Sequence, residues 1–121
     1  KKLGIANHVL FLGQRSDVNR LYQAFDVFCL PSLYEGLGIV GVEAQRAGLP
    51  CLFADAITRE VDVTGIPRFM TTESYKEWSS FISALEPGTR IDSSDKAFSG
   101  YDISENARKL TSMYLKLFEK K

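Results

Sequence analysis

The sequence has few of the features that mark a partner or a compartment. It carries no cluster of basic residues, and its 15 Lys and Arg equal its 15 Asp and Glu, so its formal net charge is zero. This composition excludes the basic surface that is typical of nucleic-acid-binding proteins. No apolar run approaches the roughly 20 residues that cross a bilayer, and no signal-peptide pattern opens the chain. Internal repeats and low-complexity tracts are also lacking.

Histidine and cysteine are scarce, which leaves little material for metal or redox chemistry. The one histidine, His8, stands in a predicted loop, where we expect a solvated side chain, and we predict no metal site. Cys29 and Cys51 lie in apolar, strand-like runs. We expect both to be buried free thiols in a reducing, cytoplasmic compartment, although two cysteines in neighbouring strands can also oxidise.

What is present is the composition of one ordinary globular domain. The 121 residues are 45% hydrophobic and 25% charged, which is enough to build a core, and we treat 1–121 as a single domain. Since the first residue is Lys rather than Met, we expect the chain to be a piece of a longer protein.

Apolar runs alternate with amphipathic stretches, which predicts βα units. Runs suited to strands occur at Val9–Leu12, Val27–Leu30 and Cys51–Ala54, with an edge strand at Ile66–Met70. Helices are predicted from a Ser16 cap to Phe25, over Ile39–Ala47, from a Ser74 cap to about Leu85, and over Ile103–Glu119 behind an Asp102 cap. This alternation predicts an α/β fold, with a parallel sheet and flanking helices of Rossmann-like type.

The most informative stretch is Leu30–Gly48, where a strand leads through a glycine-rich loop into a helix. The first N–H groups of a helix have no intrahelical partner, and the helix dipole adds partial positive charge there. Glycines at 36 and 38 let this backbone approach a phosphate closely. The stretch is therefore a candidate anion site at the carboxyl end of a strand, where ligands bind in such sheets.

Two carboxylates, Glu35 on the loop and Glu43 in the helix, accompany this candidate site. Glu43 shares a helical face with apolar residues, so it either forms a surface ion pair, with Arg46 nearby, or accepts hydrogen bonds from ligand hydroxyls such as a ribose diol. Their spacing predicts a separation on the order of 10 Å. Glycosidase pairs stand roughly 5 Å or 6.5–9.5 Å apart, so an extended ligand is favoured over a hydrolase dyad.

These residues resemble a known signature. Pro31–Gly36, then Glu43-Ala44-Gln45 and Gly48-Leu49-Pro50, are similar to the Glu–seven residues–Glu motif of retaining glycosyltransferases of family 4, which have the two-domain GT-B architecture. Val9–Gly13, Asp26–Leu30 and Pro50–Ala54 resemble successive strands of that family's C-terminal, nucleotide-sugar-binding domain. Gly100–Ile103 and the helix after it resemble the tails of polysaccharide-forming members, so the resemblance covers nearly the whole chain.

The resemblance implies a role for each matching residue. Glu43 would hold the ribose and Glu35 the hydroxyls of the donor sugar, and these two are the catalytic-site candidates. Backbone N–H groups at Gly36, Leu37, Gly38 and Ile39 would contact sugar and diphosphate, and main-chain groups at Leu12, Gly13 and Gln14 would hold the base. The implied reaction moves a sugar from a nucleotide-diphosphate donor to an acceptor hydroxyl with retention, and no further cofactor is implied.

Other parts of such an enzyme are expected outside this chain. Family members carry an Arg and a Lys that clamp the diphosphate upstream, and an N-terminal domain that binds a sugar or lipid-linked acceptor. The full-length protein would then be peripheral to the inner face of the membrane, and the chain alone would tend to self-associate. The alternative is a non-catalytic nucleotide-sugar-binding or structural module. An epimerase or phosphorylase of the same architecture fits the fold but not the spacing of the glutamates.

Overall fold

The computed structural model describes residues 3–119. Its helices are α1 (Val18–Ala24), α2 (Ile39–Arg46), α3 (Tyr75–Ser83) and α4 (Ile103–Glu119), and its strands are β1 (Phe28–Leu30), β2 (Cys51–Ala54) and β3 (Arg68–Met70). Short 3₁₀ helices lie at Ala6–His8, Arg59–Val61 and Asp95–Tyr101. The predicted alternation of strands and helices is therefore confirmed over most of the chain.

The three strands form one parallel sheet in the order β1-β2-β3. Phe28 pairs with Cys51, and Phe53 pairs with Phe69. β2 is the central strand and all four of its residues are buried, which explains its continuous apolar sequence. The predicted α/β fold, a parallel sheet with flanking helices, is confirmed.

Both cysteines are free thiols. In the register of the sheet Cys51 is level with Phe28, whereas Cys29 is level with Leu52. Because successive side chains of a strand point to opposite faces, the two thiols lie on opposite sides of the sheet. The alternative of a disulfide between them is therefore excluded in this fold.

The helix α2 ends at Arg46, one residue before its predicted end at Ala47. Gly48 has φ of +76°, a conformation that glycine adopts without a steric penalty. The Gly48 N–H donates to the Gln45 carbonyl, and the Leu49 N–H donates to the Ala44 carbonyl. These two bonds are the Schellman pattern, which satisfies the last carbonyls of the helix and turns the chain into β2.

The prediction of a strand at Val9–Leu12 is wrong. This segment lies outside the sheet, and the Phe11 side chain is 92% exposed. A strand needs a neighbour for its N–H and C=O groups, and within residues 3–119 the only strand bonded to β1 is β2. An apolar sequence alone therefore does not show that a segment pairs with a neighbouring strand.

The ends of α1 and α3 differ in detail from their predicted caps. The residue before α1 is Asp17 rather than Ser16, and its carboxylate is paired with Arg15 at 2.7 Å instead of capping the helix. Ser74 does precede α3, but its side chain makes no capping hydrogen bond. These helices therefore start at or near the predicted residue for reasons other than the predicted cap.

The helix α4 has the predicted bounds, and its Asp102 cap is confirmed by a bond of 2.7 Å from the Glu105 N–H. Its apolar stripe consists of Ile103, Ala107, Leu110, Tyr114, Leu117 and Phe118. This stripe covers no core, since no residue of α4 is buried and Phe118 is 83% exposed. Its main neighbour is the Asp95–Tyr101 3₁₀ helix. The apolar stripe is thus present in the sequence, but no element among residues 3–119 buries it.

Candidate functional site

The loop between β1 and α2 supplies the backbone of the site. Gly38 is the residue before α2, with φ of +65°, so the chain can turn sharply from the loop into the helix. The N–H groups of Leu37, Gly38, Ile39 and Val40 donate to no oxygen atom of residues 3–119. Four free donors at a helix N-terminus are the arrangement that binds an anion.

Glu43 lies one turn into α2, and its side chain is held by α1. The Tyr22 hydroxyl donates to Glu43 Oε2 at 3.1 Å, whereas the Glu43 residue itself is exposed. Arg46 instead pairs with Asp95 at 2.7 Å. The alternative of an ion pair between Glu43 and Arg46 is therefore wrong, and the carboxylate keeps an oxygen that accepts no hydrogen bond from residues 3–119.

Glu35 lies in the loop before α2 and is exposed. Ser32, three residues earlier, donates its hydroxyl to Glu35 Oε1 at 3.1 Å. This local bond orients the carboxylate without burying it. Glu35 does not cap α2, since the residue before that helix is Gly38 and no side chain caps it.

An open groove of about 1050 Å³ runs between α1, α2 and the Asp95–Tyr101 3₁₀ helix. Of the predicted site residues, Ile39 and Glu43 line it. Phe98 forms part of the opposite wall, where the Arg46 guanidinium lies 5.3 Å from the centre of its ring. The groove is open and Glu43 is exposed, so its carboxylate is accessible from solvent.

The other predicted residues are not assembled into this groove. Glu35, Gly36, Leu37 and Gly38 belong to the adjoining loop, outside the groove lining. Residues Leu12–Gln14 form an exposed, irregular segment, and none of them makes a hydrogen bond to another residue of 3–119. Their predicted contact with a base remains a prediction, on a segment that is not a strand end here.

Two residues near the site, Gln45 and Tyr22, make contacts that the sequence analysis did not predict. Gln45 is 3% exposed; its amide donates to the Gly41 and Val61 carbonyls and accepts from the Val63 N–H and the Thr64 hydroxyl. It therefore joins α2 to the loop after β2. A glutamine within the buried side of a helix is the signal that could have indicated such a role.

Tyr22 is the second residue of this kind. It lies within the predicted first helix and is buried, but its hydroxyl contact with Glu43 was not predicted. A buried tyrosine usually finds a partner for its hydroxyl, which is the available signal.

Within residues 3–119 there is neither a candidate metal site nor a candidate membrane-spanning helix. Among residues 3–119, no group of three His, Cys, Asp or Glu side chains could hold a metal ion. Over the same residues, no helix combines the length and the apolar character that crossing a membrane requires.

Comparison with known proteins gives a consistent result. The family described as "Glycosyl transferases group 1" matches residues 1–64. "Putative glycosyltransferase EpsF" of Bacillus subtilis is 37% identical over 120 residues, which cover 94% of this chain and 31% of that protein. No solved structure matches the chain.

Two further relatives each match about half of the chain. The "UDP-Gal:alpha-D-GlcNAc-diphosphoundecaprenol alpha-1,3-galactosyltransferase" of Escherichia coli is 42% identical, over 44% of this chain and 14% of its own. The "Lipopolysaccharide core biosynthesis mannosyltransferase LpsB" of Rhizobium meliloti is 34% identical, over 53% of this chain and 18% of its own. The chain thus spans less than a third of the length of the curated relatives that it matches.

Proposed function

We propose, starting from the fact that this chain belongs to the group 1 glycosyl transferases, that it is the donor-binding part of a retaining glycosyltransferase of family 4. The complete enzyme would move a sugar from a nucleotide-diphosphate donor to an acceptor hydroxyl. The names of two relatives, one for lipopolysaccharide core biosynthesis and one with a lipid-linked GlcNAc, support a role in making polysaccharide. The acceptor, a sugar or a lipid-linked sugar, would be held by the rest of the protein.

The observation that carries this proposal is the placement of Glu43 beside free helix donors. The carboxylate is oriented by Tyr22 and faces a groove, and the N–H groups of residues 37–40, which donate to no oxygen atom of residues 3–119, lie at the start of the same helix. A carboxylate suits a ribose diol, and helix donors suit a diphosphate. A nucleoside diphosphate contains both groups, joined at a short distance.

The proposed chemistry follows from where charge develops. When the bond between sugar and diphosphate breaks, negative charge grows on the leaving phosphate. N–H groups fixed at a helix N-terminus, with the dipole behind them, stabilise that charge without having to reorganise. Glu35, exposed on the loop and oriented by Ser32, would hold hydroxyls of the donor sugar. We assign no nucleophile.

Binding of nucleoside diphosphates to Glu43 variants tests the proposal. Glu43→Ala should weaken binding of the preferred member of a UDP, GDP and ADP panel by about 1.5–3 kcal/mol, because charge-assisted hydrogen bonds to the ribose are lost. Glu43→Gln, which keeps one acceptor, should lose less. Isothermal titration calorimetry on the complete enzyme measures both changes.

The matched control is Glu60→Ala, which removes an exposed carboxylate outside the groove lining. It should leave the affinity unchanged. Unaltered affinity in Glu43→Ala would overturn the assignment of Glu43 to the ribose, and with it the proposal that the groove binds a nucleoside diphosphate.

A further inference from the structure

The ring of Tyr22 is fixed in the core while its hydroxyl lies at the edge of the groove. The residue is 4% exposed, and its ring meets Phe28 edge-on at 5.9 Å between centroids. Phe28 in turn meets Phe53 at 6.4 Å, and Phe53 meets Phe69 at 5.4 Å. A row of four aromatic rings thus runs from α1 across the sheet to β3, so the ring of Tyr22 is held by rigid neighbours.

We infer that Tyr22 is a positioning residue for Glu43, whose carboxylate it holds by one oxygen so that the other oxygen can accept a ligand hydroxyl. The inference rests on the proposed function, since it assigns a role in the same site. It adds that the affinity for the nucleotide sugar depends on the Tyr22 hydroxyl in α1, although this hydroxyl need not touch the nucleotide sugar.

The geometry explains why the hydroxyl acts on the carboxylate. Tyr22 Oη lies 3.1 Å from Glu43 Oε2 and 3.3 Å from the Val40 carbonyl oxygen. A phenol has one proton, and the charged acceptor forms the stronger bond. Both acceptors belong to α2, so the hydroxyl also ties α1 to the helix that carries the site.

An exposed glutamate without such a bond samples several rotamers, and a ligand would have to restrict them on binding. Holding Oε2 in place removes part of that cost before the ligand arrives. Burial of Tyr22, together with its hydrogen bond to Glu43 and the charge of that carboxylate, raises the pKa of the phenol to about 12. Tyr22 therefore remains protonated, and so a hydrogen-bond donor, at neutral pH.

A double-mutant cycle in the complete enzyme separates positioning from simple structural support. Tyr22→Phe removes only the hydroxyl and should weaken nucleoside diphosphate binding about 3- to 10-fold. In the Glu43→Ala background the same change should alter binding less than 2-fold, because no carboxylate remains to be positioned. Calorimetric titration with the nucleoside diphosphate that the unaltered enzyme binds best gives all four affinities.

The steady-state kinetics give a second readout. Tyr22→Phe should raise KM for the nucleotide sugar while kcat changes less than 2-fold, since the contact with the ribose is affected and the N–H groups proposed to stabilise the leaving phosphate are not. The control is Tyr75→Phe, the same chemical change on an exposed tyrosine of α3 outside the groove lining. It should leave both parameters unchanged. Thermal denaturation of each variant verifies that the protein is folded.

Failure of this inference and failure of the proposed function give different results. If Glu43→Ala binds as the unaltered enzyme does, the proposed function fails, and nothing is left to position. If Glu43→Ala weakens binding but Tyr22→Phe has no effect, or costs the same in both backgrounds, the positioning role alone is overturned. A smaller effect of Tyr22→Phe in the Glu43→Ala background supports it.

Discussion

Gly41 on α2 lies so close to the ring of Phe53 on β2 that a β-carbon at Gly41 would come within 2.9 Å of the Phe53 Cζ atom. The same β-carbon would lie 2.9 Å from a methyl group of Val61. Both neighbours are fully buried, so neither can move aside easily. The absence of a side chain at Gly41 is therefore what lets the helix that carries Glu43 rest directly on the sheet.

Gly41→Ala should destabilise the fold by about 1–2 kcal/mol. Alanine favours a helix, but overpacking against two buried side chains outweighs that gain. Urea denaturation of the chain measures the change. The control is Gly100→Ala, where a β-carbon would meet no atom within 4 Å, and it should shift stability by less than about 0.5 kcal/mol. Equal shifts in the two variants would contradict the close-packing explanation.

Gln45→Met should cost about 2–3 kcal/mol of unfolding free energy. Methionine fills a similar volume, but it leaves the Val61 carbonyl and the Val63 N–H without their present partner. The measurement is again urea denaturation, with Gln23→Met on the exposed side of α1 as the matched change. Gln23→Met should be nearly neutral, so a comparable loss in both would show that the buried amide is not the cause.

Glu35→Gln should reduce turnover of the complete enzyme more than it reduces affinity for the bare nucleoside diphosphate. The reason is that its proposed partner is a hydroxyl of the donor sugar, which the nucleoside diphosphate lacks. Steady-state kinetics and calorimetric titration of the same preparation provide the comparison. Ser32→Ala, which frees the Glu35 carboxylate from its hydrogen bond, should give a weaker effect in the same direction. Equal loss of nucleoside diphosphate and nucleotide-sugar binding in Glu35→Gln would argue for a general structural role instead.

This chain by itself should fold without catalysing transfer. It has a buried core around β2, which supports folding, but it spans 31% of the length of EpsF. Holding donor and acceptor together is worth up to roughly 7–11 kcal/mol of barrier, and we expect the acceptor side to come from elsewhere. Release of nucleoside diphosphate from a panel of nucleotide sugars and hydroxyl acceptors is the assay, and turnover on the order of 1 s⁻¹ would contradict the prediction.

The sequence by itself determined the part of the molecule in which each element has a local signal. β1, α2 and β2 follow from two short apolar runs, a glycine-rich loop and the turn at Gly48. The start of α4 follows from its Asp102 cap. Caps and turns act through hydrogen bonds between residues a few positions apart, so these residues suffice to specify them. The paired glutamates that drew attention to the site belong to this same local stretch.

Only the tertiary structure decided which of these features have partners. Val9–Leu12 is as apolar as a strand, but no segment of residues 3–119 pairs with it, and no part of the same described chain buries the apolar stripe on α4. The contact between Tyr22 and Glu43 spans 21 positions, and the bond from Gln45 to Val61 spans 16. Strand pairing, burial and long-range contacts depend on which other residues of the chain lie opposite a given residue. The spacing of residues within one segment does not specify those residues.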